Sequence, residues 1–204
     1  MKSSAAGILF ALIAFAAMIA STATSFAQEL SIGSETISAS GVATVALDIS
    51  GLTPGTTALS TFDVNVGFNS SVVNFASAAY GDPILGDQLN FNGLAFQATA
   101  PGVGTTELFE LSLDDPSTLL SSQPASFTLA TLTFDAVGTG TSALGLSVNA
   151  LGDQNGNSLS ATLQNGSITV TGAAGQVPEI DASSAAGALT LLLGGLLVSR
   201  GRRI

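Results

Sequence analysis

Residues 62–68 read Phe62-Asp63-Val64-Asn65-Val66-Gly67-Phe68, apolar at every second position. A side-chain period of two is that of a β-strand with one face buried. A second strand is predicted over 42–49, where Val45, Leu47 and Ile49 interleave with Val42, Thr44, Ala46 and Asp48. A third covers 126–135 and places Phe127, Leu129 and Phe134 in a core. Further strands are expected at Ser31–Ile37, Val72–Ala78, Ala95–Thr99, Glu107–Leu113, Ser142–Asn149 and Thr162–Val170. The connectors carry turn chemistry: Thr53-Pro54-Gly55, Gly81-Asp82-Pro83, Pro101-Gly102, Gly138-Thr139-Gly140, Gly152-Asp153 and Asn155-Gly156-Asn157. About nine short strands with no helical period among them predict an all-β, two-sheet sandwich over residues 28–170. Residues 171–176 read as a flexible linker.

The two ends break the alternation. Ala5 to Ala20 is an apolar run behind Lys2, and Ala185 to Val198 is another ahead of Arg200, Arg202 and Arg203. These four are the only basic residues, whereas the stretch from Gln28 to Gln176 holds twelve acids and no base. Lys2, the apolar Gly7–Phe15 stretch and the small residues of Ser25-Phe26-Ala27 make 1–27 a secretory signal peptide, cut by signal peptidase between Ala27 and Gln28. At about 1.5 Å per residue a helix over 182–199 would span roughly 27 Å, close to the ~30 Å hydrocarbon core. It is expected to be a transmembrane helix with the arginines of the basic end, 200–204, on the cytoplasmic side.

Ahead of that span stands Val177-Pro178-Glu179-Ile180-Asp181. The motif, the apolar span and the basic cluster, in that order over 177–204, resemble the PEP-CTERM sorting signal in its Val-Pro-Glu-Ile-Asp variety. Ile180 stands where the commonest version has a second Pro. The resemblance implies an exosortase-type membrane protease as partner, acting near the Pro-Glu motif. It also implies an inner-membrane-anchored precursor passed to the cell surface or extracellular matrix of a Gram-negative bacterium. Pro178 disfavours helix at Val177 and keeps the segment extended, the form in which a protease accepts a chain.

The body is poor in catalytic groups. It has no His or Cys, and no Lys or Arg, which removes the usual general bases, thiol nucleophiles, Schiff-base amines and anion clamps. Carboxylates remain. Asp114-Asp115 could suggest a glycosidase pair, but neighbours in an extended segment face opposite sides, and a turn before Pro116 is expected. The chain reads as a non-enzyme. Calcium is the one cofactor the residues suggest: Asp153, Asn155 and Asn157 alternate as at the start of an EF-type loop. Ser158 and Gln164 depart from that loop later, and Asp and Asn also fill turns unaided. A second oxygen-rich loop holds Asp82 and Asp87 beside Gly81 and Gly86. There is no Trp, and Tyr80 is the only Tyr, which gives sugars little aromatic platform. The acidic body would repel nucleic acid.

The stretch from Phe62 to Phe75, and the later Phe127–Phe134 strand followed by Gly138-Thr139-Gly140-Thr141-Ser142, resemble the cohesin-like domain. That resemblance implies a nine-strand jelly-roll sandwich related to some carbohydrate-binding modules. With both ends it implies an exported surface or extracellular-matrix protein in adhesion or exopolysaccharide and biofilm organisation. The alternative is a carbohydrate-binding or dockerin-type protein-binding module. The partners expected are an extracellular polysaccharide or a surface protein.

Overall fold

A computed structural model describes residues 28–172. The expected signal peptide through Ala27, the Val177–Asp181 motif, the expected span at 182–199 and Arg200, Arg202 and Arg203 lie outside the described residues. Eleven strands and one short helix follow in order: β1 (Gln28–Ile32), β2 (Ser34–Ser38), β3 (Val42–Ser50), β4 (Leu59–Gly67), β5 (Val73–Tyr80), β6 (Phe96–Gly102), β7 (Thr105–Leu111), α1 (Pro116–Ser122), β8 (Phe127–Ala136), β9 (Gly140–Asp153), β10 (Ala161–Gln164) and β11 (Gly166–Thr171). One sheet has the order β10-β1-β3-β8-β5 and the other β2-β11-β9-β4-β7-β6.

Every expected strand forms, yet nine become eleven. The strands expected at 31–37 and 162–170 each cross from one sheet to the other, at Gly33 and Asn165. β1 pairs with β10, and β2 with β11, both in parallel. The two chains therefore change sheets side by side. A Cβ on Gly166 would lie 2.0 Å from the Gly33 carbonyl oxygen and 2.5 Å from that of Ile32, so only glycine fits. β11 runs through Thr171, one residue into the expected linker.

The expectation of no helix is also corrected. Pro116 occupies the first turn of α1, where its fixed φ suits a helix and its missing N–H costs nothing. Seven residues are too few for a helical period to show. Leu119 is its buried anchor, and the side chain of Gln123 at its C-cap binds β4 and the loop before β6. The Gln123 amide accepts from Leu59 N–H (2.7 Å) and donates to the carbonyls of Leu59 (2.7 Å) and Gln88 (2.8 Å).

The core lies between the sheets. Phe62, Val64, Val66, Leu108 and Leu144 meet Leu30, Leu47, Ile49, Leu129, Leu132 and Phe134 there, all buried. Phe127, Leu129 and Phe134 are inside as expected. Phe134 is the hub, edge-on to Phe68 at 5.4 Å and to Phe75 at 5.8 Å, the geometry aromatic quadrupoles favour.

Candidate binding face and buried acid site

The outer face of the six-stranded sheet is divided by chemistry. On β7 the inward residues are Thr106, Leu108 and Glu110, which leaves Glu107, Phe109 and Leu111 outside. The strand register places Phe96 opposite Leu111 and Ala98 opposite Phe109 on β6. It places Thr61, Asp63 and Asn65 opposite Leu111, Phe109 and Glu107 on β4. The β6–β7 half is thus apolar and the β4–β9 half polar. Phe96 is 60% exposed and sits edge-on to Phe109 at 5.9 Å. Leu113, 61% exposed, continues the outward row. Such a cluster on the surface of a small domain is a candidate interaction site.

The polar half holds its shape through hydrogen bonds. The bulge at Asn149 sends its amide to Asp63 (2.9 Å). Beyond it, Thr61, Asn149, Ala150, Gly152, Ser158 and Leu159 line a depression of about 390 Å³. Of the expected calcium loop, Gly156 lines the depression, and Asp153, Asn155 and Asn157 do not. Asp153 Oδ1 accepts from the N–H groups of Asn155 and Asn157, both at 2.8 Å, and Oδ2 accepts from the Asn157 amide at 3.0 Å. Desolvation opposes its ionisation, but these bonds outweigh it and hold the carboxyl below its ordinary value. Asp153, Asn155 and Asn157 are brought together, with the ligand oxygens of Asp153 engaged in closing the turn.

The second oxygen-rich loop splits its two acids. Asp82 is a clamp: Oδ1 accepts from Ile84 (2.8 Å) and Leu85 (2.9 Å), and Oδ2 from Thr128 N–H (3.2 Å). The Leu85 and Ile84 bonds, in that order, lower its pKa. Asp87 turns the other way, toward the sheet. The Gln97 amide nitrogen donates to Asp87 Oδ2 (2.7 Å) and to Glu110 Oε1 (2.8 Å). Glu110 is 0% exposed, and its Oε2 has no partner. Burial above all, with the Asp87 charge adding to it and the Gln97 bond opposing it, pushes the Glu110 carboxyl up to about 8.

Glu110 and Gln97 escaped the sequence reading. The signal was present, because Glu110 shares the period-two phase of Thr106 and Leu108 and so is a charge on a core phase. Asp114 and Asp115 do not act together. Asp114 accepts from Phe91 N–H (2.8 Å) and from the Asn92 amide, while Asp115 is the N-cap of α1 and makes no side-chain cap bond.

Residues 177–203 match the VPEID-CTERM protein sorting domain. The sandwich has the fold of the cohesins. It is similar to the sixth cohesin of Acetivibrio cellulolyticus scaffoldin B, solved in complex with a mutant Cel5 dockerin, at 17% identity and a TM-score of 0.59. That match covers 71% of this chain and 99% of the cohesin. The non-cellulosomal cohesin of Archaeoglobus fulgidus matches at 14% identity and a TM-score of 0.54, over 71% of this chain and 91% of its own. The cohesin module of a Clostridium perfringens family 33 glycoside hydrolase matches at 14% and 0.53, over 72% and 97%. No curated protein matches the chain. Among the described residues no helix is long and apolar enough to cross a membrane.

Proposed function

We propose that this chain is an exported, non-enzymatic surface or matrix protein whose sandwich binds a partner protein through the outer face of β9-β4-β7-β6. The observation that carries the reading is the outward cluster of exposed Phe96, Leu111 and Leu113 around half-buried Phe109, beside the polar Asp63, Asn65 and Asn149. An apolar patch flanked by hydrogen-bonding groups is the anatomy of a protein interface. The partner it fits presents an apolar ridge with basic residues around it, since the body has twelve acids and no base. Several cohesins of this fold were solved with dockerins bound, which supports a protein partner of that kind. Polysaccharide is less favoured on this face: Phe96 and Phe109 stand at 63° to each other and offer no flat platform for a sugar ring.

The ends supply delivery. Signal peptidase would free Gln28, the 177–204 signal would hold the precursor in the inner membrane, and an exosortase-type protease would release it to the surface or matrix. Adhesion or matrix organisation then follows from the tail and the binding face together.

Photo-crosslinking in the producing cells tests the binding face. A photoreactive residue at position 109 of the full chain is expected to give a discrete protease-sensitive adduct that position 162, on the other sheet, does not. Equal adducts at both positions, none at either, or an adduct removed by glycosidases alone would sink the reading.

A further inference from the structure

Glu110 lies at the bottom of a site lacking a counter-charge. Its Oε2 is sealed from solvent without a partner, and one Gln97 nitrogen bridges its other oxygen to Asp87. Burial opposes ionisation of Glu110, and the nearby Asp87 charge adds to the cost. Elsewhere a Lys or Arg would balance them, but residues 28–172 contain none, and no His. Only a proton or a cation from solution can do so.

The atoms present suit a hard cation. Glu110 offers Oε2, Asp87 offers Oδ2, and the Gln97 amide presents Oε1 once it turns over. These are oxygen donors of the kind calcium takes, with water completing the shell. Asp87 is aimed by the bond from Leu89 N–H to its Oδ1 (3.0 Å). Its backbone is pressed against Gly81, at φ +90°, where a Cβ would meet Asp87 Cα at 2.8 Å. Asp87 is half-buried and Gln97 exposed, so an ion can enter over them to reach Glu110. The ligands come from a loop and two strands, a mixture with the give that calcium tolerates and magnesium does not.

We propose that Asp87, Gln97 and Glu110 form a calcium-class cation site that latches the loop over residues 81–95 onto β6 and β7. The site is separate from the Asp153 turn, where the carboxylate is already saturated by its own loop. Protons compete with the cation for Glu110, so binding tightens as pH rises through about 8. The titratable groups acting on Glu110 are Asp87 from the loop and Tyr80 at the end of β5. Tyr80 stays neutral, because burial raises its pKa.

Calorimetric titration of the full chain in detergent, stripped with chelator and then given calcium chloride, decides the matter. The expected result is one calcium per chain, bound more tightly at about pH 9 than at about pH 7. Affinity should fall roughly tenfold or more in Glu110→Gln and Asp87→Asn and hold in Asp153→Asn. Absence of binding heat, loss in Asp153→Asn alone, or unchanged affinity in both Glu110→Gln and Asp87→Asn overturns the site. Glu110→Gln keeps the shape and removes the buried charge, so its melting temperature in chelator should be no lower than that of wild type. Should it fail to fold, Asp87→Asn, in the loop, carries the decision.

Discussion

A single carboxyl in this protein makes stability depend on pH. The Glu110 pKa is raised in the fold from an ordinary 4.5 to about 8. Between those values the folded state holds a proton that the unfolded state has released, so stability falls as pH rises across that window. Below it the contribution is fully present. Above it the loss is complete. In chelator the wild-type melting temperature should drop between pH 4.5 and 8, and in Glu110→Gln the slope should be nearly flat. Parallel curves for the two proteins would refute it. Asp82 and Asp153 act in the opposite sense on the acid side: their lowered pKa values favour folding above the ordinary carboxyl range. That benefit goes as pH falls through it.

At the scale of elements, the paired crossing of β1–β2 and β10–β11 decides how the chain closes. Gly33 and Gly166 touch through their backbones, with no room for a methyl group between them. Gly166→Ala must push β11 away from the turn at Gly33, breaking the parallel pairing on both sides of it. The expected cost is about 4 kcal/mol or more, from steric strain and lost ladder bonds together. Chemical denaturation measures it, and amide exchange should show β10 and β11 losing protection first. A change below about 1 kcal/mol would mean that the crossing adapts more easily than its geometry says. Both strand splits leave only a faint mark in the sequence. Ile32 and Ile37, like Leu163 and Ile168, are five residues apart, so the alternation changes phase in both segments, and the contact between Gly33 and Gly166 shows where they change sheets. α1 was hidden by its length, because seven residues starting at Pro116 give less than two periods.

For the molecule as a whole, charge is the dominant feature. The acids of a body without a base, Glu110 apart, repel one another at neutral pH and oppose compaction. Sodium chloride alone should therefore raise the melting temperature by several degrees between low and physiological ionic strength, through screening over about 10 Å. Melting that ignores salt would refute self-repulsion. A further rise on adding calcium at matched ionic strength belongs to the Asp87–Glu110 site. The same charge excess directs association, favouring basic partners for the outer face and excluding nucleic acid.

The sequence by itself determined where most strands lie, the shared core phase of Phe127 and Leu129, and the sorting signal that begins at Val177. Each is written locally, in a period of two or in a short ordered motif. Only the tertiary structure decided what two distant segments make together. It brought Phe96 and Leu111 into one apolar face, split Asp82 from Asp87, and set Asp87 beside Glu110 through Gln97. Glu110 shows the difference most plainly. Its phase along β7 marks it as buried, but the loop acid that meets it comes from more than twenty residues earlier in the chain. Strand pairing fixes which residues face one another, and the pattern within either strand is silent about its partner.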